Sequence, residues 1–246
     1  MSHPPPPLPF PLSQMILMDG NSIARQITTT RFAPDSNAND YADMLASFIA
    51  HGLTQDEAEA EVMIAIVAGT DSAASLMRST ILFVLSHPRV LARLRAEVAS
   101  TVPTLRLDEV VPDAKARGMV YLQAVVKEGM RIYPPGAGAL MMRDVGRGGD
   151  VHKGVVLPAG TSVGVNVWSM MRRKDVFGED ADVFRPERWL EAGDKLKRER
   201  MEGVVELTFG YGQWGCLGRN IAVMEVGKVL VEVSARCATV GHGDLG

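Results

Sequence analysis

Residues 209–218 constrain this chain more than any other stretch, because they hold four glycines and a single cysteine, Cys216. Glycine adopts left-handed backbone conformations and lets a chain come close to a flat ligand. The residues that follow are apolar at helical spacing: Val223, Val226, Leu230 and Val233. We therefore predict a helix that begins at about Cys216. The positive end of its dipole favours a thiolate at that position, and the thiolate is the form of cysteine that binds metal.

Two other interpretations of this loop follow from the residues alone. A lone cysteine is commonly a small buried hydrophobe, and a glycine-rich turn before a helix can bind phosphate. The order of residues is more specific, since the loop resembles the haem-ligand loop of the cytochrome P450 family. That resemblance implies a cofactor-binding set in which Cys216 is the iron ligand: Phe209, Gly212, Trp214, Cys216 and Gly218. The family often carries a basic residue that meets a haem propionate where this chain has Trp214, and some fungal members resemble it in having an aromatic residue there.

The composition is that of an ordinary globular protein. The chain has 246 residues, 22% of them charged, and a formal net charge of -3. No basic excess with interleaved aromatics points to nucleic acid. Its two cysteines, Cys216 and Cys237, form neither a CxxC motif nor a zinc spacing, which argues against a disulfide framework and fits a reducing compartment. The sequence contains no run of about 18 apolar residues, so we predict no membrane-spanning segment in it.

Residues 1–37 are predicted to be an extended, disordered tail, because six prolines lie in the first eleven residues and turn-forming residues follow. This start lacks the basic and apolar regions of a signal peptide. Residues 38–246 form the second region, in which a short amphipathic helix is expected to end at Gly52. Thr54 and Glu57 then form a capping-box pattern that opens a helix of about 30 residues.

This long helix is apolar all round between residues 62 and 68, which predicts burial. Its middle contains Gly69, Thr70, Asp71 and Ser72, residues that are costly inside a buried helix. A simple packing kink would explain them, since hydroxyls bond back to the backbone and bend helices. The stretch also resembles the distal-helix motif of the P450 family. That resemblance implies that Asp71 and Ser72 are catalytic residues of a proton relay to oxygen, with serine where the family more often has threonine.

A further helix over residues 119–132 carries Glu128 and Arg131 on one face. Alone, such a pair is usually a solvated surface bridge. Its place before Pro134 and Pro135 resembles the family's E-x-x-R helix, which implies a buried cluster with Arg188 as the third partner. Its implied role is to lock the loop beneath the haem.

Short β-rich runs are predicted at residues 140–145, 155–157 and 161–165. Arg143, on the first run, is either an exposed strand arginine or, by the resemblance, a second propionate-binding residue. Residues 136–140 are small and apolar, which suggests a roomy pocket for a lipophilic substrate. Residues 89–99 are expected to form a helix, and a short helix is suggested at residues 107–111. The charged run at residues 194–202 is expected to be a solvated loop. By the resemblance, this run is also a weak candidate for the docking site of a reductase.

The predicted fold is mainly α with a small β region, resembling the C-terminal half of the cytochrome P450 fold of the fungal microsomal type. The resemblance implies a monooxygenase that uses haem b (iron protoporphyrin IX) and O2 on a small lipophilic substrate, with electrons from NADPH–cytochrome P450 reductase, in fungal secondary metabolism. The family resides at the endoplasmic reticulum membrane, whereas this chain lacks the anchor and is expected to be soluble and intracellular. A truncated non-catalytic fragment and a reductase-independent haem-thiolate isomerase or dehydratase remain as alternatives.

Overall fold

The computed structural model describes residues 12–36, 42–103, 109–136 and 142–236. The chain divides into two compact units, Met1–Asp71 and Ser72–Gly246. The helices of the described residues are α1 Leu12–Arg31, α2 Met44–Ala50, α3 Gln55–Ser86, α4 Pro88–Thr101, α5 Asp113–Gly118, α6 Val120–Ile132, α7 Val167–Met170, α8 Lys174–Phe177, α9 Arg188–Glu191, α10 Lys195–Glu206 and α11 Arg219–Arg236. The strands are β1 Met142–Asp144, β2 Asp150–His152, β3 Val155–Leu157 and β4 Ser162–Gly164.

The first unit contains α1, where the sequence predicted an extended tail. Leu12–Arg31 is helical, and Arg25 Nε forms an ion pair with Glu59 Oε1 of α3 at 3.2 Å. Residues 1–11 lie outside the described part of the chain. The prolines that motivated the tail are concentrated before Leu12, and residues 13–31 contain none, so helix formation there breaks no local rule.

The capping box at the start of α3 is confirmed. Glu57 Oε2 accepts from the Thr54 backbone N–H at 2.8 Å, and the Glu57 N–H donates to Thr54 Oγ1 at 3.3 Å. These hydrogen bonds from Thr54 lower the pKa of Glu57. Gly52 ends the preceding turn with a φ of +83°, a left-handed conformation that suits glycine.

Helix α3 is continuous through residues 68–72, with no interruption of the helix where a kink was expected. Its apolar stretch at residues 62–68 is not buried: each residue there is half-buried or exposed, and Ile64 is 60% exposed. The prediction of burial is therefore wrong for this structure, because α1 covers the stretch only in part: a β-carbon on Gly20 would stand 2.9 Å from Met63 Sδ, whereas Ile64 stays exposed. By length and composition α3 could cross a membrane, a test that the core helix of a soluble protein also passes.

The core of the second unit is built around α6, which packs against α4, α5 and α11. Ten of its thirteen residues are buried. The helix begins where Glu97 of α4 accepts the backbone N–H groups of Tyr121 and Leu122, both at 2.8 Å, which satisfies two donors at the helix N-terminus. It ends before Pro134, as the sequence predicted. Helix α4, which the sequence predicted over residues 89–99, presents one apolar face to this core: Val90, Leu94 and Val98.

The strands form two separate antiparallel pairs. Strand β1 pairs with β4, with Arg143 opposite Val163, and β2 pairs with β3, with Val151 opposite Val156. Three of the four strands lie within the predicted runs, whereas Asp150–His152 was missed because its residues carry little β-propensity beyond one valine.

Two predictions about connecting segments are wrong. Residues 195–206 form helix α10 rather than a loop, because Asp194 caps the Leu196 N–H at 3.0 Å and Met201 and Val205 are buried on one face. The short helix between α4 and α6 is Asp113–Gly118, not residues 107–111. Of that predicted stretch, residues 107 and 108 lie outside the described chain.

Candidate functional site

The cysteine loop connects α10 to α11 and depends on its glycines. It contains two short 3-10 turns, Leu207–Phe209 and Gly212–Trp214. Gly210 and Gly212 have φ values of +74° and +62°. A β-carbon on Gly210 would stand 2.7 Å from the carbonyl oxygen of Trp214, so a side chain there would force the turn open. The folded loop is closed by the Cys216 backbone N–H, which donates to the Phe209 carbonyl at 2.6 Å.

The Cys216 thiol is exposed just before the N-terminus of α11. The helix begins at Arg219 rather than at Cys216, because residues 215–218 form an extended segment and a turn. The Arg219 N–H still donates to the Cys216 carbonyl at 3.4 Å, so the cysteine adjoins the first turn. Cys237, the second cysteine, lies outside the described residues.

Three large side chains around the thiol are exposed as well. Tyr211 is 85%, Trp214 63% and Leu217 86% exposed. Such a group of apolar side chains beside one thiol marks a surface that a flat apolar ligand would cover. No group of three or more His, Cys, Asp or Glu side chains that could hold a metal ion occurs among the described residues. A haem iron takes one thiolate ligand from the protein, and the exposed Cys216 can supply it.

Arg143 lies beside this loop. Its guanidinium carbon is 4.6 Å from the centroid of the Trp214 ring, a cation–π contact between strand β1 and the loop. Arg143 Nη1 also donates to the Met142 carbonyl at 2.7 Å. Arg143, which the resemblance assigned to a propionate, thus lies against Trp214, which stands where the family often has its other propionate-binding residue. An exposed guanidinium at this place is a suitable partner for a carboxylate.

Glu128 and Arg131 lie together on α6 and are fully buried. Arg131 donates from Nε to Glu128 Oε2 at 2.9 Å and from Nη2 to Glu128 Oε1 at 2.8 Å, a bidentate pair. Its Nη1 donates to the carbonyls of Met171 and Ala181 at 2.8 and 2.5 Å. The pair is therefore not a solvated bridge, and its hydrogen bonds fix the segment that follows the strands to α6.

Arg188 joins the same carboxylate from α9. Its Nε donates to Glu128 Oε1 at 3.0 Å, and its Nη1 donates to Asp180 Oδ1 at 2.9 Å. Burial raises the pKa of Asp180, but hydrogen bonds from Arg188 and Arg185 outweigh it and hold that pKa below its ordinary value. The cluster of Glu128, Arg131 and Arg188 satisfies its buried charges with hydrogen bonds, as a dry ionic group requires.

Sequence reasoning missed two members of this cluster. The indole Nε1 of Trp189 donates to Glu128 Oε2 at 2.9 Å, and Asp180 binds Arg188 from the other side. The position of Trp189 directly after Arg188 was a usable signal for the first. The sequence contained no comparable signal for Asp180, because an aspartate in a loop is ordinarily solvated.

Asp71 and Ser72 are consecutive residues of α3, and both are exposed. Asp71 ends the first compact unit and Ser72 begins the second. Residues 137–141, which cover most of the predicted substrate-pocket lining, lie outside the described chain.

A mainly helical chain with an exposed cysteine on a glycine loop ahead of a long helix defines a candidate haem-thiolate protein. Comparison with known families supports this class, since the model of the family described as Cytochrome P450 matches residues 21–237. This chain belongs to the cytochrome P450 family. Its mainly helical fold with a small antiparallel strand region agrees with that membership.

The chain is also similar to longer fungal proteins. It is 46% identical over 213 residues to "Cytochrome P450 monooxygenase ABA1" of Pyricularia oryzae, a match that covers 86% of this chain and 41% of that protein. It is 42% identical over 212 residues to aba1 of Botryotinia fuckeliana, with the same coverage. It is 37% identical over 194 residues to "Pisatin demethylase" of Fusarium vanettenii, covering 78% of this chain and 36% of that protein. The chain thus spans about two fifths of the length of these relatives.

Proposed function

We propose that this chain supplies the haem-thiolate part of a monooxygenase that inserts one oxygen atom of O2 into a small lipophilic substrate. The observation that carries the proposal is the exposed thiol of Cys216 on its glycine loop, next to the N-terminus of α11. Relatives named as monooxygenases support the reaction class. The names of these fungal relatives also favour a role in secondary metabolism.

The cofactor is proposed to be haem b, and the loop residues fit it. Cys216 would be the iron ligand, while Arg143, beside Trp214, would bind a propionate. Phe209 would hold the backbone of Cys216 through its carbonyl, and glycines at 212 and 218 leave room for a flat ring. Bound haem supplies the activation of O2, which a thiolate ligand favours by pushing electron density towards the iron.

The protein's own part in the reaction is positioning and proton transfer. Glu128, Arg131 and Arg188 are proposed to hold the segment that supports the cysteine loop. Asp71 and Ser72 are proposed to hold and pass protons, the carboxylate as the source and the hydroxyl as the relay. This second assignment rests on the likeness of residues 68–72 to the family's distal-helix motif.

Electrons are proposed to come from NADPH–cytochrome P450 reductase, and the whole enzyme is proposed to work at the endoplasmic reticulum membrane. Helix α10 offers an exposed cation for an acidic partner, since the Lys195 side chain is 87% exposed and its pair with Glu199 is long, at 3.7 Å. Net electrostatic attraction of that kind speeds association and weakens with added salt.

A second function is favoured by a separate observation. The Cys216 thiol is exposed, and so are Tyr211, Trp214 and Leu217 of the same loop, so a haem held there lies open to water and the chain alone would hold haem without catalysing turnover. Water in such a site weakens the electrostatic interactions on which catalysis depends.

One experiment separates these functions. The chain is expressed with haem supplied, purified, reduced and exposed to carbon monoxide. A thiolate-type absorption spectrum that is lost in Cys216→Ala and kept in Cys237→Ala supports the ligand assignment. Turnover of a lipophilic substrate with reductase then supports the monooxygenase, and the spectrum without turnover supports the second function. No haem uptake by the parent chain would refute both.

A further inference from the structure

A cavity of about 230 Å³ lies behind the cysteine loop in the second unit. Side chains of α6, α9, α10 and α11 line it, and Phe209 of the loop completes its wall. It is separate from the exposed face that carries Tyr211, Trp214 and Leu217, none of which lines it. Of the haem-binding residues proposed above, Phe209 alone lines this cavity, and the proposed haem site gives the other lining residues no role.

The inner wall of the cavity is apolar. It is formed by Val126, Met130, Trp189 and Val205, each 5% exposed or less. An apolar cavity of about 150 Å³ can hold benzene. The larger volume here suits a bicyclic ring system, and Trp189 and Phe209 contribute aromatic rings to its wall. A lining cation lies over each ring: Lys127 Nζ is 5.7 Å from the Trp189 centroid, and the Arg219 guanidinium carbon is 5.8 Å from the Phe209 centroid.

The rim of the cavity is charged but balanced. Lys127 forms an ion pair with Glu202, and Arg219 Nη2 pairs with Glu206 Oε1 at 2.5 Å. Because each lining cation is already matched by a lining carboxylate, a charged ligand would have to break a pair to gain one. The electrostatics of this rim therefore favour a neutral occupant.

Gln123 supplies the polar contact. Its side-chain Nε2 donates to the Ala116 carbonyl at 3.0 Å, which fixes the orientation of the amide. Within the part of the chain that the structure describes, no donor reaches the Gln123 side-chain oxygen. Gln123 is one of the residues that line the cavity, and an amide oxygen accepts from a ligand that donates an N–H or O–H.

We infer that this cavity is a binding site for a neutral bicyclic aromatic molecule that carries one N–H donor, with indole as the simplest probe. Its occupant contacts Phe209, whose carbonyl accepts the Cys216 N–H. A ligand that packs on Phe209 steadies this hydrogen bond and therefore the loop that presents the thiol. The cavity is thus an effector site that acts on Cys216 through Phe209.

The test is a titration of the full chain, labelled with 5-fluorotryptophan, with indole. The fluorine resonance of Trp189 is expected to move with a Kd of about 1 mM or tighter, while those of Trp168 and Trp214 stay in place. The probe 1-methylindole has the same rings without the N–H and is expected to bind at least about fivefold more weakly. A stationary Trp189 resonance, or equal binding of the two probes, overturns the inference.

Two variants locate the site. Val205→Phe fills the cavity and is expected to abolish the shift, whereas Leu196→Phe adds the same ring to a side chain on the same helix that is 73% exposed and leaves the shift unchanged. If Val205→Phe fails to fold, Gln123→Leu decides, because it should make the two probes bind equally. Unchanged discrimination between the probes in Gln123→Leu excludes the proposed contact.

The effect on the loop is measured without haem, so that its outcome is independent of the proposed monooxygenase. In a Cys237→Ser background, saturating indole is expected to slow alkylation of the Cys216 thiol at least about twofold. The same concentration of indole should not change the alkylation rate in Val205→Phe, whose cavity is filled. An alkylation rate that indole does not change excludes an effector role.

Discussion

The hydroxyl oxygen of Thr80 on α3 lies 2.2 Å from the point where a β-carbon on Gly129 of α6 would stand. Both residues are buried, and Thr80 Oγ1 has no hydrogen-bond partner in the described chain. The two helices approach so closely here that only glycine fits between Glu128 and Met130. This contact sets how far the helix that carries the Glu128 cluster lies from α3.

Gly129→Ala is therefore expected to destabilise the chain by about 1–3 kcal/mol, because the methyl group must displace a buried side chain. Gly203→Ala on α10 is the matched control, since nothing lies within 4 Å of its β-carbon. There the loss of backbone freedom in the unfolded chain should stabilise by about 0.4–1 kcal/mol. Urea unfolding of both variants measures the difference, and equal midpoints would show that α3 and α6 move apart at no cost.

Glu128→Ala is expected to cost about 3–5 kcal/mol, because it leaves the buried guanidinium groups of Arg131 and Arg188 without their carboxylate. Little soluble protein should result. Arg173→Ala is the control, since it removes a surface pair with Asp175 whose side chains are each about half exposed, and it should cost less than about 1 kcal/mol. Thermal unfolding of any soluble product compares them. If the Glu128→Ala chain is as stable as the control, the cluster does not stabilise the fold.

Asp180 should make stability depend on acid. Its pKa is lower in the folded chain than its ordinary value of 3.8, so the ionised form stabilises the fold. That contribution is complete above about pH 4 and is lost as the pH falls through the lowered pKa. Asp180→Asn should lower the melting temperature at about pH 7 and shrink the further loss between about pH 4 and pH 2. If the melting temperatures of parent and variant fall equally over that pH range, Asp180 is not the cause of the acid sensitivity.

Much of both units follows from local sequence rules. The periodicity of α4 and α6, the proline stop after Ile132 and the capping box at Thr54 each appear in the structure where the sequence predicted them. These signals act within a few residues, so no knowledge of the fold was needed. The cysteine loop was equally apparent, because its glycine spacing has few other uses.

The wrong predictions involve long-range packing. Helix α1 was mistaken for a tail because prolines before Leu12 dominated the composition of the segment. Helix α10 was mistaken for a loop because its charges concealed Met201 and Val205, which become buried only when α6 packs against them. Burial of residues 62–68 was inferred from their apolarity alone. Apolarity shows that burial would be favourable, but it does not show which part of a protein packs against the stretch.

Ser72 provides a prediction about coupling. In a haem-loaded enzyme reconstituted with reductase, Ser72→Ala is expected to leave the haem content unchanged and to raise the peroxide released per electron consumed, because the relay hydroxyl is lost. Ser72→Thr keeps the hydroxyl and should preserve coupling. Ser79→Ala, on the same helix, controls for the loss of any serine, since its hydroxyl donates only to the Leu76 carbonyl. Equal peroxide release by the Ser72 and Ser79 variants would exclude Ser72 from proton transfer.

Arg143 provides a prediction about haem affinity. Its guanidinium lies 4.6 Å from the Trp214 ring centroid and is exposed, so it is placed to donate to a carboxylate above the loop. A hydrogen bond to a charged group contributes about 1.5–3 kcal/mol, so Arg143→Ala should weaken haem binding by roughly 10- to 150-fold. Arg143→Lys keeps the charge but loses the planar fork, and an intermediate affinity is expected.

Arg147 is the control for this arginine, since it is also exposed and lies in the turn that follows β1. Arg147→Ala should bind haem as the parent chain does. Trp214→Leu should weaken binding less than Arg143→Ala, because it removes the surface that orients the guanidinium and keeps the cation itself. Titration of the haem-free chain, followed by quenching of tryptophan fluorescence and by the haem absorption band, measures all four affinities. If Arg143→Ala and Arg147→Ala weaken binding equally, the effect is one of overall charge, and Arg143 is not the propionate partner.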